Sequence, residues 1–442
     1  MTAKSSLMFA YRLLFPRTGK KSNARRSLFG ALVCIGISLV PLIMVLTVSN
    51  GMIKGITDRM IGLSSSHLQL LLYPISEYSQ TAGDIRTLAA SVKMYEPSVK
   101  NVYPEIQGIG LASSSKGRFG ASIRAVESDI FEKNEAFKNL LELVEGKADL
   151  SSKNSCLIGK KLASDLALHA GDTVRLITTK ENSSGKTMPK ITSLKVSGIV
   201  SSGYQELDSL WLFISLESGF RILSSKSSVA QLAIETNDAF SMNLEKTYRS
   251  LKPLLSSAGR LYRWNDLNSA QYENFASTQI MLLFIMALIV LVASVNISSA
   301  LVMLVMERKK EIAILKSLGG SSRGIALSFI ITGSVTGFFG VLLGLPLGLL
   351  ASVKFSVIMD TIERIVNFFA RLFFMLKGGN IADFAHVYLL DPQFYLQNIP
   401  LVIPLAQVAM IALGTIVLSL LVSVIPAVKA GKEKPIETLR KI

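Results

Sequence analysis

Three histidines and two cysteines are the side chains from which a metal centre or a thiol nucleophile could be built: His67, His169, His386, Cys34 and Cys156. None stands at a ligand spacing, and neither a His-Glu-x-x-His run, a cysteine pair nor a Gly-x-Ser-x-Gly elbow occurs. Gly185-Lys186-Thr187 hints at a phosphate loop. Such a loop needs a glycine five residues before Gly185, where Lys180 stands, and a helix after it, where Pro189 intervenes. The triplet reads as a turn. The expectation is a chain with no metal, no bound cofactor and no catalytic group of its own.

The segment whose pattern suits contact with another protein is ERKKEIAILKSLGG, Glu307 to Gly320. It fits about three helical turns, with Ile312, Leu315 and Leu318 as apolar anchors and Arg308, Lys309, Glu311 and Lys316 largely elsewhere. Gly319 and Gly320 stop the helix as a C-cap does. Apolar anchors in a charged surround suit docking into a partner's groove. A solvated loop rich in lysine fits the periodicity equally well.

The flanking elements say where that segment sits. Half of the 442 residues are apolar and 18% are charged, with a mean hydropathy of +0.43. Four segments, 28–50, 278–306, 325–353 and 401–426, are free of acidic and basic residues and long enough to cross a bilayer core. The first is too long for a signal-peptide core and lacks a small-residue cleavage site. The architecture expected is an integral membrane α-helical protein with four spans and a large mixed α+β extracytoplasmic domain.

Charge sets the orientation. Residues 1–27 carry seven Lys/Arg and no acid, while 307–323 and 429–442 each carry five basic and two acidic residues. The long stretch 51–277 holds 26 basic and 23 acidic residues. Short basic segments stay cytoplasmic, so both termini and the 307–324 segment are expected inside and 51–277 outside. The +16 net charge then reports topology and anionic-lipid attraction, not nucleic-acid binding. Residues 1–27 read as an amphipathic elbow followed by a basic stretch, and 427–442 as a cytoplasmic tail.

The domain 51–277 is expected in two lobes, roughly 51–125 with 220–277, and 126–219. Strands are expected at 67–73 and 194–200, helices at 84–95 and 129–145, and a helix, a Gly171-Asp172 turn and a strand across 157–178. Within the extracytoplasmic loop 354–400, residues 354–377 place Asp360, Glu363, Arg364, Asn367 and Arg371 on one stripe and Ile358, Ile362, Ile365, Phe369, Leu372 and Leu376 opposite. That pattern suits a helix in the outer interface or packed on the soluble domain. In the third span, Gly333, Gly337, Gly340, Gly344 and Gly348 form a small-residue stripe that allows close helix packing. Asn296, the amide in span two, is expected to face the bundle interior.

The stretch 307–325, ERKKEIAILKSLGGSSRGI, resembles the cytoplasmic signature of FtsX-like and MacB-like permeases, the four-span class of ABC transporters of type VII architecture. PAVKAGKEKPIETLR (426–440) resembles their closing signature. VSNGMIKGITDRMIGLSSSHLQL (48–70), the approach to and exit from span two (264–319) and VYLLDPQFYLQNIPLVI (387–403) are similar to the lipoprotein-releasing LolC/LolE permeases. The chain departs from them at Ser49-Asn50-Gly51-Met52, where Met-Asn-Gly-Phe is common, and in a longer stretch between spans three and four.

The resemblance implies two paired permease chains, identical or different, above two cytoplasmic LolD-like ATPase subunits that bind the ATP and Mg. Arg308, Glu311, Ile312, Leu315, Leu318 and Gly319 would form the coupling helix. The output would be extraction of lipoprotein cargo from the outer leaflet of the inner membrane and its transfer to a LolA-like periplasmic carrier. Met44, Val48 and Met52 with Leu282, Phe284 and Ile285 would line the lipid-accepting cavity, or serve as ordinary span packing. A signalling permease acting on a cell-wall hydrolase, as in FtsX, and a MacB-like efflux permease are the alternatives.

Overall fold

The structure is a computed structural model of the chain and describes residues 3–14, 23–181, 187–224, 227–376, 386–389, 396 and 399–433. Most of the basic stretch after residue 14, the tip of the 178–190 loop with Gly185 and Lys186, and the tail beyond 433 lie outside the described residues. Two compact units emerge, one of residues 1–51, 275–387 and 400–442, the other of 52–274 with 388–399. Helix α1 (Ala3–Leu14) belongs to the first. Helix α2 (Asn23–Met60) starts there and enters the second, and a single π-helical turn, Ile61–Ser65, ends it.

The second unit is one sheet with short helices. In chain order it holds β1 (Leu68–Leu72), α3 (Ala82–Tyr95), β2 (Val99–Ser113), β3 (Arg118–Val126), α4 (Ile130–Lys133), α5 (Glu135–Leu140), β4 (Glu142–Gly146) and β5 (Ser155–Gly159). There follow α6 (Lys160–Leu166), β6 (Thr173–Glu181), β7 (Thr187–Ser201), α7 (Gln205–Asp208), β8 (Trp211–Ser215) and α8 (Leu216–Ile222). β9 (Ser228–Thr236), α9 (Met242–Leu255), β10 (Gly259–Arg263) and α10 (Trp264–Leu267) complete it. The strand order is β10-β1-β9-β2-β3-β8-β5-β7-β4, with β6 bridging β2 and β7.

The two strand groups expected as separate lobes are present but joined. β3 runs parallel to β8, with Arg124 opposite Phe213, and β2 continues past β9 to pair with β6. One core, including Leu70, Ile85, Ile106, Ile123, Ile158, Leu194, Leu212 and Leu232, runs under both groups. The helix expected at 129–145 is broken. The Asn134 side chain accepts from the Ala136 and Phe137 amides and so caps a new helix, α5, while 142–146 pairs with β7. The Gly171 turn has φ of +100°, open to glycine and strained for other residues.

The first unit holds the remaining helices, the first of them from residue 275 on: α11 (Ser269–Glu307), α12 (Lys309–Ser317), α13 (Ser322–Val353), α14 (Phe355–Leu376) and α15 (Leu405–Lys432). Four helices, within 26–65, 269–307, 322–353 and 405–432, are long and apolar enough to cross a membrane. α11 has 39 residues, about 58 Å at 1.5 Å per residue, well beyond the roughly 30 Å of a hydrocarbon core. α1 lies against α13: Ser328 Oγ donates to the Ser6 carbonyl at 2.9 Å and the Phe9 and Phe329 rings meet edge to face.

The glycine stripe of α13 works on two partners. Steps of four and three keep all five glycines within about 80° of the helix surface at 3.6 residues per turn. A Cβ on Gly333 or Gly337 would collide with Ser423 or Ser419 of α15. On Gly340, Gly344 and Gly348 it would meet Ile35, the Gly36 carbonyl at 2.7 Å and Ile43, all on α2. The hydroxyls at these crossings are satisfied within their own helices, Ser423 to the Ser419 carbonyl at 2.5 Å and Thr336 to Thr332 at 2.9 Å. Close backbone approach in lipid therefore leaves these two hydroxyls paired, whereas Ser334 Oγ on α13 and Thr47 Oγ1 on α2 are buried with no partner among the described residues.

Candidate functional site

The 307–320 segment folds as its residue pattern demands. α12 is followed by Gly319 in the left-handed region at φ +88°. The Gly319 amide donates to the Lys316 carbonyl at 3.0 Å and the Gly320 amide to Leu315 at 2.9 Å. These are the two bonds of a Schellman cap, and a Cβ on Gly320 would press on the Leu315 carbonyl. Arg308 and Glu311 pair with each other.

The apolar anchors differ from the sequence expectation in direction. Ile312 is completely buried in the core of the membrane unit, with Leu304, Ile325, Phe329 and Ala430. Leu315 is half-buried and Leu318 is 80% exposed. Each step of three residues falls 60° short of a turn, so Ile312 and Leu318 stand about 120° apart, enough for one to face the core and the other outward. Ile314, which the spacing did not single out, is exposed as well, on the far side of Leu318 from Leu315. The outward apolar face is thus Ile314, Leu315 and Leu318, and Ile312 is the root that holds the helix.

A second brace comes from the end of α15. Lys316 Nζ donates to the Gly431 and Glu433 carbonyls, both at 2.8 Å, and Lys309 Nζ lies 3.0 Å from the Glu433 carboxylate. A lysine on the orphan carbonyls at a helix C-terminus also meets the negative end of its dipole.

The second unit has its own attachment of a helix end, which the sequence reading missed. Arg124 on β3 makes a bidentate pair with Glu105 on β2, at 2.6 and 2.9 Å, with both side chains 3% exposed. Its third nitrogen, Nη1, donates to the Leu63 carbonyl in the π turn that ends α2. The guanidinium lies 5.0–5.7 Å from the ring centroids of Trp211, Phe213 and Phe137. Nearby, Arg59 of α2 donates through Nε to the Ser202 carbonyl at 2.5 Å. The Asp208 carboxylate holds that loop by accepting from the Ser202 amide and from the Ser201 and Ser202 hydroxyls, each at 2.7 Å. A charge inside the run Ile123-Arg124-Ala125-Val126, buried throughout, was the available signal.

The residues expected to line a cavity are placed unevenly. Met44 and Val48 are half-buried on α2, Leu282 is half-buried against the membrane core, and Phe284 and Ile285 are exposed on α11. Met52 is half-buried on the part of α2 within the second unit. Asn296 does not point inward: it is exposed on α11, and its amide donates to Cys34 Sγ at 3.1 Å. Among the described residues no cluster of His, Cys, Asp and Glu could hold a metal ion.

Two family models match this chain, an FtsX-like permease C-terminal model over residues 283–435 and a MacB-like periplasmic core domain over 28–245. The lipoprotein-releasing system transmembrane protein LolC of Neisseria meningitidis is 26% identical over 432 residues, covering 95% of this chain and 96% of that protein. The corresponding LolE of Haemophilus influenzae is 22% identical over 426 residues, with 95% and 96% covered. Among solved structures, the periplasmic region of MacB from Actinobacillus actinomycetemcomitans matches 48% of this chain and 95% of its own, at 14% identity and a TM-score of 0.31.

Proposed function

The chain belongs to the FtsX-like, MacB-like class of ABC transporter permeases and is a homologue of the lipoprotein-releasing proteins LolC and LolE; on that premise we propose that it is a lever. A separate ATPase seats on α12 from the cytoplasm, and a second permease chain pairs with it. ATP-driven closure moves the long helices α2 and α11 and the extracytoplasmic domain. Lipoproteins are thereby extracted from the outer leaflet and passed to a soluble periplasmic carrier. This chain does not itself hydrolyse ATP.

The observation that carries the reading is α12. It offers Ile314, Leu315 and Leu318 outward while Ile312 and the Lys316 brace fix it to the bundle. A helix so held can pass a push on. An external motor is needed because each buried methylene of a lipid anchor contributes about 0.8 kcal/mol. The Arg124 and Arg59 bonds supply the matching attachment for the domain that receives the motion. The test is reconstitution of the permease with its ATPase in proteoliposomes carrying an acylated substrate. ATP-dependent release to a soluble carrier is expected. ATP turnover without release would remove transport in favour of signalling.

A further inference from the structure

Helix α14 is packed the wrong way round for water. Its one buried side chain among the described residues is polar: Asn367, 4% exposed. The Asn367 amide makes two bonds to one backbone residue, Nδ2 donating to the Val387 carbonyl and the Val387 amide donating to Oδ1, each at 2.9 Å. Beside it, His386 Nδ1 lies 3.7 Å from the Glu363 carboxylate. Residues 386 and 387 thus cover the middle of the polar stripe, while Asp360, Arg364 and Arg371 stay exposed. At 100° per residue, Asp360, Glu363, Arg364, Asn367 and Arg371 fall within an arc of about 100°. Opposite stand Ile362, Ile365, Phe369, Leu372 and Leu376, all exposed, Phe369 at 61% and Leu376 at 79%. A surface helix of a soluble domain shows the reverse arrangement.

The helix also begins where a span ends, with Lys354 alone between α13 and α14. We propose that α14 lies in the plane of the leaflet at which α13 ends, its apolar face among acyl chains and its polar stripe toward the headgroups. The partner is a lipid surface. Helix-in-groove docking uses a narrow line of anchors, whereas this face, widened by the exposed Val357, Phe368 and Phe373, takes in an arc of about 160° over 22 residues. The four charges within those residues, Asp360, Glu363, Arg364 and Arg371, argue against a fifth span. The inference rests on α13 crossing the membrane and not on the cargo, so its failure leaves the transport reading standing.

Site-directed spin labelling of the full-length chain tests it. Labels are placed at Ile365→Cys, Phe369→Cys and Leu376→Cys, and at Asp360→Cys and Arg364→Cys, in a Cys34→Ala background. Cys156 stays unlabelled because it is fully buried and burial pushes its thiol up to about 12. In vesicles of phosphatidylethanolamine and phosphatidylglycerol, the three apolar positions should be relaxed by oxygen and shielded from a nickel chelate. The two polar positions should show the opposite preference. Shielding of the apolar positions from both reagents would mean that protein covers the face. Oxygen preference at all five positions would mean a span, and nickel preference at all five a helix in water. Each of these three results overturns the proposal.

Discussion

The α12 brace and the Arg124 clamp meet one requirement in two media. In each, a basic side chain donates to carbonyls left over where a helix ends, Lys316 to Gly431 and Glu433 after α15, and Arg124 to Leu63 after α2. Lys316 is half-buried, and its bonds need no counter-charge beside them. Arg124 is sealed from water and is matched at every face, by the two Glu105 oxygens, the Leu63 carbonyl and the rings of Trp211, Phe213 and Phe137. Removing water turns a helpful cap into an interaction that must be complete, because a buried charge missing a partner is costly. One attachment is an open seat and the other a welded joint.

Breaking the joint should give the largest effect. Arg124→Met strands the Glu105 carboxylate in the core and should cost about 3–5 kcal/mol of stability, read from denaturant unfolding. Adding Glu105→Leu removes the stranded charge and should recover much of that loss, leaving the orphaned Leu63 carbonyl at about 1–3 kcal/mol. If Arg124→Met unfolds like the parent, the clamp does not hold the helix end.

The membrane unit has a counterpart in its glycines, fixed by shape instead of charge. Gly344→Leu would drive a side chain into the Gly36 backbone, which cannot swing aside, and should destabilise toward the upper end of about 1–3 kcal/mol. Gly414 is the control, since a Cβ there meets nothing within 4 Å. Equal melting of Gly344→Leu and Gly414→Leu in detergent would remove the tight-packing assignment.

The open seat is sharpened by separating its two faces. Leu318→Asp touches nothing in the core, so the protein should melt normally yet lose more than about 1 kcal/mol of affinity for its ATPase, roughly fivefold or more. Ile312→Asp should instead fail to fold, because it buries a carboxylate. Co-purification read beside melting distinguishes the two. Undiminished ATPase on Leu318→Asp would take the docking role from α12.

The helix α12 and its glycine cap were legible in the sequence and the Arg124 clamp was not. Charges spaced among Ile312, Leu315 and Leu318 ahead of paired glycines are local information, and so are the uncharged runs of the spans. Even there the exposed partner, Ile314, was hidden by a pattern in threes that winds around the helix. Arg124 and Glu105 are 19 residues apart and meet only once β2 and β3 pair in register, with Gln107 opposite Arg124 and Glu105 opposite Val126. The joining of two expected lobes into one sheet was likewise set by the non-local β3–β8 pairing. The break at Asn134 depended on a cap whose side chain competes with the helix it interrupts.

The smallest effect concerns His67, between the π turn and β1, where the joint can be probed by pH. Its Nδ1 receives the Thr236 backbone amide at 3.1 Å, which requires an unprotonated nitrogen. Burial holds the imidazole below its ordinary value of about 6.5, with Glu235 and Asp238 pulling partly back. The unfolded chain therefore binds the proton first as pH falls. Stability is full above about 6.5 and declines below it, down to the lowered folded value, at no more than about 1.4 kcal/mol per pH unit from this one group. His67→Gln keeps an acceptor for the Thr236 amide and has no proton to gain. The difference in melting temperature between the parent and this variant should hence be flat from pH 8 to 7 and should shift against the parent below about 6.5. A difference that stays constant down to pH 5, roughly the foot of the ordinary histidine range, would mean that His67 is not held neutral by its place beneath the helix end.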